Sequence, residues 1–312
     1  MRNMDAYFPP ETQLSILFHG GEPLLAGYDF YKNAFALLRS FDRKIGLGVQ
    51  TNLTLLDDRL IELFKENGCG FGTSLDGDAQ VNCKTRLMKH GSETNFDLVT
   101  RGIGLLKDHG MDTGIISVIT EHNLDAKRYY RFAKNVGVWS VTPNPMYEFD
   151  ESRIGAPSLR AIGDFYVDLF DLWMADDDPP HIDFFERIIH TFLGAIPARK
   201  CVFTRDCTRC MMAVDTDGEV YLCTHWLGQS NYSYGNALTV PFSKIWESAS
   251  RSRLSTRPDN LGTQCHDCRY WDQCYGGCMG HTREDFNDRD YFCPVYRRVF
   301  SHIEKTLRGA LV

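Results

Sequence analysis

Between residues 14 and 143 the chain alternates short apolar runs with longer stretches whose apolar residues recur every three or four positions. The first pattern reads as buried strand, the second as helix with one covered face. LSILF (14–18), GLGVQ (46–50), GFGTSLDG (70–77), TGIISVI (113–119) and VWSVTP (138–143) give five strand signals. Residues 29–40, 57–67, 95–110 and 126–137 read as the helices between them. In NFDLVTRGIGLLKDHG, residues Phe96, Val99, Ile103 and Leu106 share a helical spacing, and Gly110 is placed to stop the helix. Strands joined by helices imply a parallel sheet, because each crossover needs about a dozen residues. The class is therefore α/β, and an open flavodoxin-like sheet and an incomplete barrel both satisfy the pattern. Residues 144–157, rich in Pro, Asn, Asp and Glu, read as a boundary. An amphipathic helix over 158–174 follows, with Ser158 as its cap, then a break at DDDPP (176–180) and a helix near 181–194. From Cys201 onward the pattern dissolves into short turns.

Composition narrows the class of function. The net charge of -7, from 34 Lys+Arg against 41 Asp+Glu, speaks against a nucleic-acid partner. The sequence contains neither an apolar run long enough to span a membrane nor a secretory signal pattern, so the expectation is no membrane and a cytoplasmic location. The eleven cysteines alter the picture most, since nine lie between Cys201 and Cys293. An odd count in a long chain without a secretory segment favours metal over a disulfide framework. The spacing is Cys201-x5-Cys207-x2-Cys210, then Cys223, then Cys265-x2-Cys268-x5-Cys274-x3-Cys278, then Cys293. Thiolates so close in sequence can surround a soft metal centre. Spacing leaves open two structural zinc sites, two four-thiolate iron–sulfur clusters, and disulfides or free thiols. Aromatic residues among the cysteines favour redox clusters by limiting solvent, and Gly276, Gly277 and Gly280 give the backbone room to turn N–H groups toward sulfur.

DGEVYLC (217–223), GN (235–236) and CHDCRYWDQCYGGC (265–278), closed by Cys293, resemble the SPASM domain of radical S-adenosylmethionine peptide and protein maturases, the group containing anaerobic sulfatase-maturating enzymes. The resemblance implies one auxiliary [4Fe–4S] cluster on Cys201, Cys207, Cys223 and Cys278. A second would use Cys265, Cys268, Cys274 and Cys293, leaving Cys210 as a spare structural thiol. Further upstream, HGGEP (19–23) resembles the family's second-strand motif, with Gly20, Gly21, Glu22 and Pro23 at the cofactor and Glu22 receiving its amino group. QTNLTLL (50–56) resembles the third, placing Asn52 near the active centre, and TSLDG (73–77) the fourth, with Ser74 contacting the cofactor. Arg86 matches the arginine expected at the methionine carboxylate.

Taken with this likeness, the fold expected is a partial radical-SAM-type (β/α) barrel lacking its first strand, followed by a small cysteine-rich SPASM domain. The expected divisions are 1–156 for the barrel, 157–200 for a helical connector and 201–312 for the SPASM domain. Two departures qualify the likeness. The 312 residues contain no Cys-x3-Cys-x2-Cys loop, and HGGEP lies only 18 residues from Met1. The expectation is a truncated or inactive form, with S-adenosylmethionine and a third [4Fe–4S] cluster only in an intact, full-length one. The second departure is Thr224, which stands where sulfatase-maturating members carry a basic aspartate. His225 and Asp76 are the remaining candidates for a proton acceptor.

The implied function is radical S-adenosylmethionine-dependent modification of a peptide or protein, by hydrogen abstraction leading to a cross-link or oxidation. Its partners would be the substrate and a reductant such as flavodoxin or ferredoxin. The alternatives are a non-catalytic iron–sulfur peptide-binding protein and a zinc-binding structural or assembly protein.

Overall fold

The computed structural model describes residues 7–87, 89–90, 92–147, 155–195, 201–282 and 284–310. The chain divides into two compact units, one of Pro10–Phe185 and one of Glu186–Val312 together with Met1–Pro9. The division falls inside the helix Asp183–Phe192. The helix Leu159–Met174 belongs to the same unit as the sheet.

In the unit Pro10–Phe185, β1 (Leu14–Phe18), β2 (Ile45–Gln50), β3 (Cys69–Ser74), β6 (Thr113–Ile119) and β7 (Ser140–Pro145) form one sheet in chain order, every neighbouring pair parallel. A flavodoxin-like sheet would reverse its strand order part way. This sheet does not reverse. Right-handed crossovers that always step in one direction put every helix on the same side, which is the arrangement of a half barrel.

The strand residues alternate accordingly. Val49, Cys69, Phe71, Thr73, Thr113, Ile115, Ser117 and Val141 are buried on one face. There the helices Gly27–Arg39 and Asp58–Glu66 supply Tyr31, Phe35, Ile61 and Phe64. Phe18 meets Tyr31 edge-on at 5.3 Å, and Phe64 stacks on Phe71 at 5.1 Å. Burial of each such ring contributes about 2–3 kcal/mol. The register sets Gly48 beside Gly70 and Gly72 beside Gly114, so the opposite face carries little beyond backbone at its start.

Two elements were absent from the sequence pattern. The helix Ala79–Thr85 is short and mostly polar, and Asp78 caps it by accepting from the N–H groups of Gln80 and Val81. A two-residue hairpin, β4 (Lys89–His90) with β5 (Glu93–Thr94), precedes the helix Asn95–Asp108, whose start is a capping box of Thr94 and Asp97.

The other unit departs from the expected run of turns, carrying the short helices Phe242–Trp246, Ala249–Ser255, Arg257–Asn260, Thr263–His266 and Trp271–Cys274 before its last helix. β8 (Ala213–Val214), β9 (Glu219–Tyr221) and β10 (Gly235–Asn236) make a small antiparallel sheet. Around it Val220, Tyr221, Leu222, Trp226, Tyr234, Ile245, Leu254 and Met279 form a core. Tyr7 and Phe8 pack their rings against Phe242 and Trp246. The helix Cys293–Ala310 buries Val295, Tyr296, Val299, Phe300 and Ile303, with Phe203 against Tyr296 and Phe300. Among the described residues no helix is long and apolar enough to cross a membrane.

Candidate cofactor sites

In the sheet unit, the sequence motifs meet at the carboxyl ends of β1, β2 and β3, where parallel α/β sheets bind ligands. Glu22 is the joint of this edge. Its Oε1 accepts from the Leu24 N–H (2.9 Å) and the Thr51 hydroxyl (2.6 Å), and its Oε2 accepts from the Asn52 N–H (2.9 Å). One carboxylate thus fastens the loop after β1 to the loop after β2. Asn52 accepts from the N–H and hydroxyl of Thr54. Gln50 Nε2 reaches the Thr73 carbonyl and the Ser74 hydroxyl, linking the ends of β2 and β3. At Gly20, with φ +135°, and at Gly21, an added Cβ would enter open space. A ligand can therefore approach the backbone closely there. His19 Nδ1 accepts from the Gly20 N–H at 2.7 Å.

Asp76 and Arg86 are brought together. Asp76 is 2 % exposed, and its carboxylate accepts from the Thr85 hydroxyl, Arg86 Nη2 and the Val118 N–H at 2.7–2.9 Å. All its contacts are with donors of its own scaffold, so Asp76 holds the loop after β3 and positions Arg86. The Nε of Arg86 is buried with no hydrogen-bond partner among the described residues. An orphaned donor on a guanidinium suits a carboxylate ligand. These residues fit S-adenosylmethionine as the motifs imply. Thr51, Gln50 and the pairing of Asp76 with Arg86 were not readable from spacing.

Nine of the eleven cysteines lie in the cysteine-rich unit, with Cys69 and Cys83 in the sheet unit, and all eleven are free thiols rather than members of a disulfide framework. Cys201, Cys207, Cys223 and Cys278 line one cavity, together with Phe203, Met211, Leu222, Arg257 and Met279. Cys207 feels the charges of Cys201, Cys223 and Cys210, and Cys278 those of Cys201 and Cys223. Cys274 lies within electrostatic reach of Cys293 and Cys265, and Cys293 within reach of Cys265 and Cys268. Cys210 is exposed and does not line the cavity, and its Sγ lies 3.5 Å from the Cys207 carbonyl.

Burial pushes the Cys207 thiol up to about 12 and the Cys223 thiol up to about 11. Burial likewise raises Cys274 and Cys278, and the N–H groups of Gly276 and Gly280 partly offset the rise. Partly covered thiols crowded together and supplied with N–H donors are a donor set for a soft metal cluster. The backbone is shaped for it. Val202 and Phe203, directly after Cys201, take φ +49° and +58°, and Tyr275, Gly276 and Gly277, directly after Cys274, take +49°, +78° and +70°. A β-branched residue in the left-handed region is strained and persists only where its surroundings impose it.

Thr224 and His225 begin a short 3-10 turn after Cys223. His225 faces His281 edge-on at 5.2 Å, and donor atoms of His225, Cys278 and His281 lie within 4.8 Å of one another. A bare Gly280 permits this, since a Cβ there would stand 2.7 Å from the His225 ring.

A parallel half barrel with glycine and carboxylate motifs at its strand ends, followed by a thiol-lined domain, defines a radical SAM protein with a SPASM domain. Family models agree: residues 3–133 match the radical SAM superfamily and residues 201–269 match the SPASM iron–sulfur cluster-binding domain. The chain therefore carries a radical SAM domain and a SPASM domain. It is similar to the serine-type anaerobic sulfatase-maturating enzyme of Bacteroides thetaiotaomicron, with 27% identity over 96% of this chain and 78% of the relative. The cysteine-type anaerobic sulfatase-maturating enzyme of Clostridium perfringens is 26% identical over 92% of this chain and 80% of its own. Among solved structures, native anSMEcpe with bound AdoMet and Kp18Cys peptide shares the fold, with a TM-score of 0.84 and 23% identity over 96% of this chain and 85% of that one.

Proposed function

We propose that this protein serves radical S-adenosylmethionine-dependent post-translational modification of a peptide or protein, in which hydrogen abstraction leads to a cross-link or an oxidation. The observation that carries this reading is a cavity lined by Cys201, Cys207, Cys223 and Cys278 in the cysteine-rich unit, taken together with a strand-end site in the sheet unit suited to S-adenosylmethionine. Cys201, Cys207, Cys223 and Cys278 would hold one auxiliary [4Fe–4S] cluster, and Cys265, Cys268, Cys274 and Cys293 the other. Gly20, Gly21, Glu22, Asn52, Ser74 and Arg86 would hold S-adenosylmethionine, with the Arg86 guanidinium at its carboxylate. When bound, S-adenosylmethionine and the clusters supply the hydrogen-abstracting and electron-transfer chemistry. The chain's own part is to orient them and to exclude water with Phe203, Leu222 and Met279. Enzymes of the sulfatase-maturating group are the relatives, and one was solved with a peptide, which supports a peptide or protein substrate. Thr224 in place of the group's aspartate argues against sulfatase maturation itself, since a hydroxyl is a weak base near neutral pH.

Anaerobic reconstitution with iron and sulfide tests the reading. About eight iron and eight sulfide per chain support it. These 312 residues, holding no Cys-x3-Cys-x2-Cys loop, should release no 5'-deoxyadenosine by themselves. A second reading, zinc in a structural or assembly protein, is favoured by the His225, Cys278 and His281 donors. Zinc retained without sulfide would establish it instead.

A further inference from the structure

The stretch Cys274–Cys278 contributes a thiol to each group of four, and two buried charged side chains close on it. Asp290 is 1 % exposed. Its Oδ2 accepts from the Cys278 N–H at 2.7 Å and lies 3.2 Å from Nδ1 of His281, while Oδ1 accepts from the Phe292 N–H at 2.8 Å. Its own N–H donates to the Gly276 carbonyl, and its carbonyl accepts from the Cys293 N–H. One residue therefore ties the backbone of Cys278 to that of Cys293, a ligand from each proposed cluster. Gly277 is bare because of it, since a Cβ there would stand 2.4 Å from that of Asp290.

Arg257, 3 % exposed, approaches the same turn. Its guanidinium donates to the carbonyls of Gly276, Gly277, Phe286 and Asp288 at 2.6–3.2 Å. It lines the cavity of the first thiol group and lies within electrostatic reach of Cys207, Cys278 and Cys265. Asp290 is within reach of Cys274 and Cys278. Each charge thus acts on thiols of both groups. Burying a cation and an anion carries a heavy desolvation penalty, which carbonyl-holding and N–H-holding alone would not require.

Resting on the two-cluster reading, we propose that Asp290 and Arg257 are positioning residues that set the reduction potentials of both auxiliary clusters. Reduction adds negative charge to a buried cluster. A fixed anion nearby opposes it and a fixed cation favours it, with little solvent screening.

The test is a potentiometric titration of the reconstituted full chain, followed by electron paramagnetic resonance, for wild type, Asp290→Asn and Arg257→Gln. Asp290→Asn should move both potentials upward and Arg257→Gln both downward. Each should change the reduced-to-oxidised ratio at fixed poise tenfold or more, which is 59 mV for one electron. The signal reports loaded clusters only, so partial loss of iron does not hide the shift. Unmoved potentials, or shifts of the same sign in both variants, overturn the proposal. So does loss of every cluster in both variants with secondary structure retained, which would mark the pair as structural. A wild-type chain that takes up no iron instead overturns the cluster reading, and this proposal with it.

Discussion

At the scale of single residues, the two groups of thiols give a sharp contrast between neighbours. Cys210 sits three positions from Cys207 yet lies outside the cavity that Cys207 lines. Cys210→Ser should keep about eight iron per chain, whereas Cys223→Ser should fall toward four, as read by iron and sulfide analysis after reconstitution. The residues that carry chemistry were legible where they come as contiguous motifs. HGGEP, QTNLTLL, TSLDG and the dense cysteine run each announce themselves. Asp290 and Arg257 did not, because a lone charge in a polar loop or at the start of a short helix looks solvated until the fold buries it. Their one sequence trace is the pair Gly276–Gly277, which signals close approach without saying of what.

At the scale of elements, strands and long helices were readable because each has a covered face that repeats with its own period. The helix Ala79–Thr85 was not, since it is brief and its start depends on contacts distant in sequence. Asp78 caps it and pairs with Arg128, whose Nη2 lies 2.8 Å from Oδ1. The Arg128 hydrogen bond is the main reason the Asp78 carboxyl is held below the usual range. A carboxyl lower in the folded than in the unfolded state adds stability above its ordinary titration, and that stability disappears as pH falls through the lowered value. Asp78→Ala should therefore cost about 1 kcal/mol at pH 7, nearly all of it from the cap since the ion pair is half exposed. Urea denaturation of both proteins should show the gap narrowing as pH drops below about 4.

At the scale of the whole molecule, fold class followed from alternation, while the choice of half barrel over flavodoxin-like sheet needed the motifs and is settled by the unreversed strand order. The cysteine-rich unit resisted reading from pattern because its helices between Phe242 and Cys274 run only four to seven residues, too short to show a period. Its stability should depend on metal, since ligand groups drawn from separate stretches of chain gather only in the folded state. Stripping iron with a chelator under reducing conditions should lower the thermal midpoint, and re-adding iron and sulfide should restore it, by circular dichroism. The one-sided sheet also gives the molecule an uneven tolerance to mutation. On the helix-covered face every side chain is locked against a neighbour, so Phe71→Ala is expected to cost about 3–5 kcal/mol. On the glycine face the outcome depends on position, since a Cβ would stand 2.3 Å from the Gln50 side chain at Gly72 and 2.6 Å from the Ser140 hydroxyl at Gly114. A Cβ on Gly70 would meet nothing nearer than the Leu47 carbonyl at 4.0 Å. Gly70→Ala should thus be neutral or stabilising by up to about 1 kcal/mol in the same denaturation assay. Selection at an open position such as Gly70 is free to act on clearance alone, and a change that narrows it there would pass unnoticed in any measurement of stability.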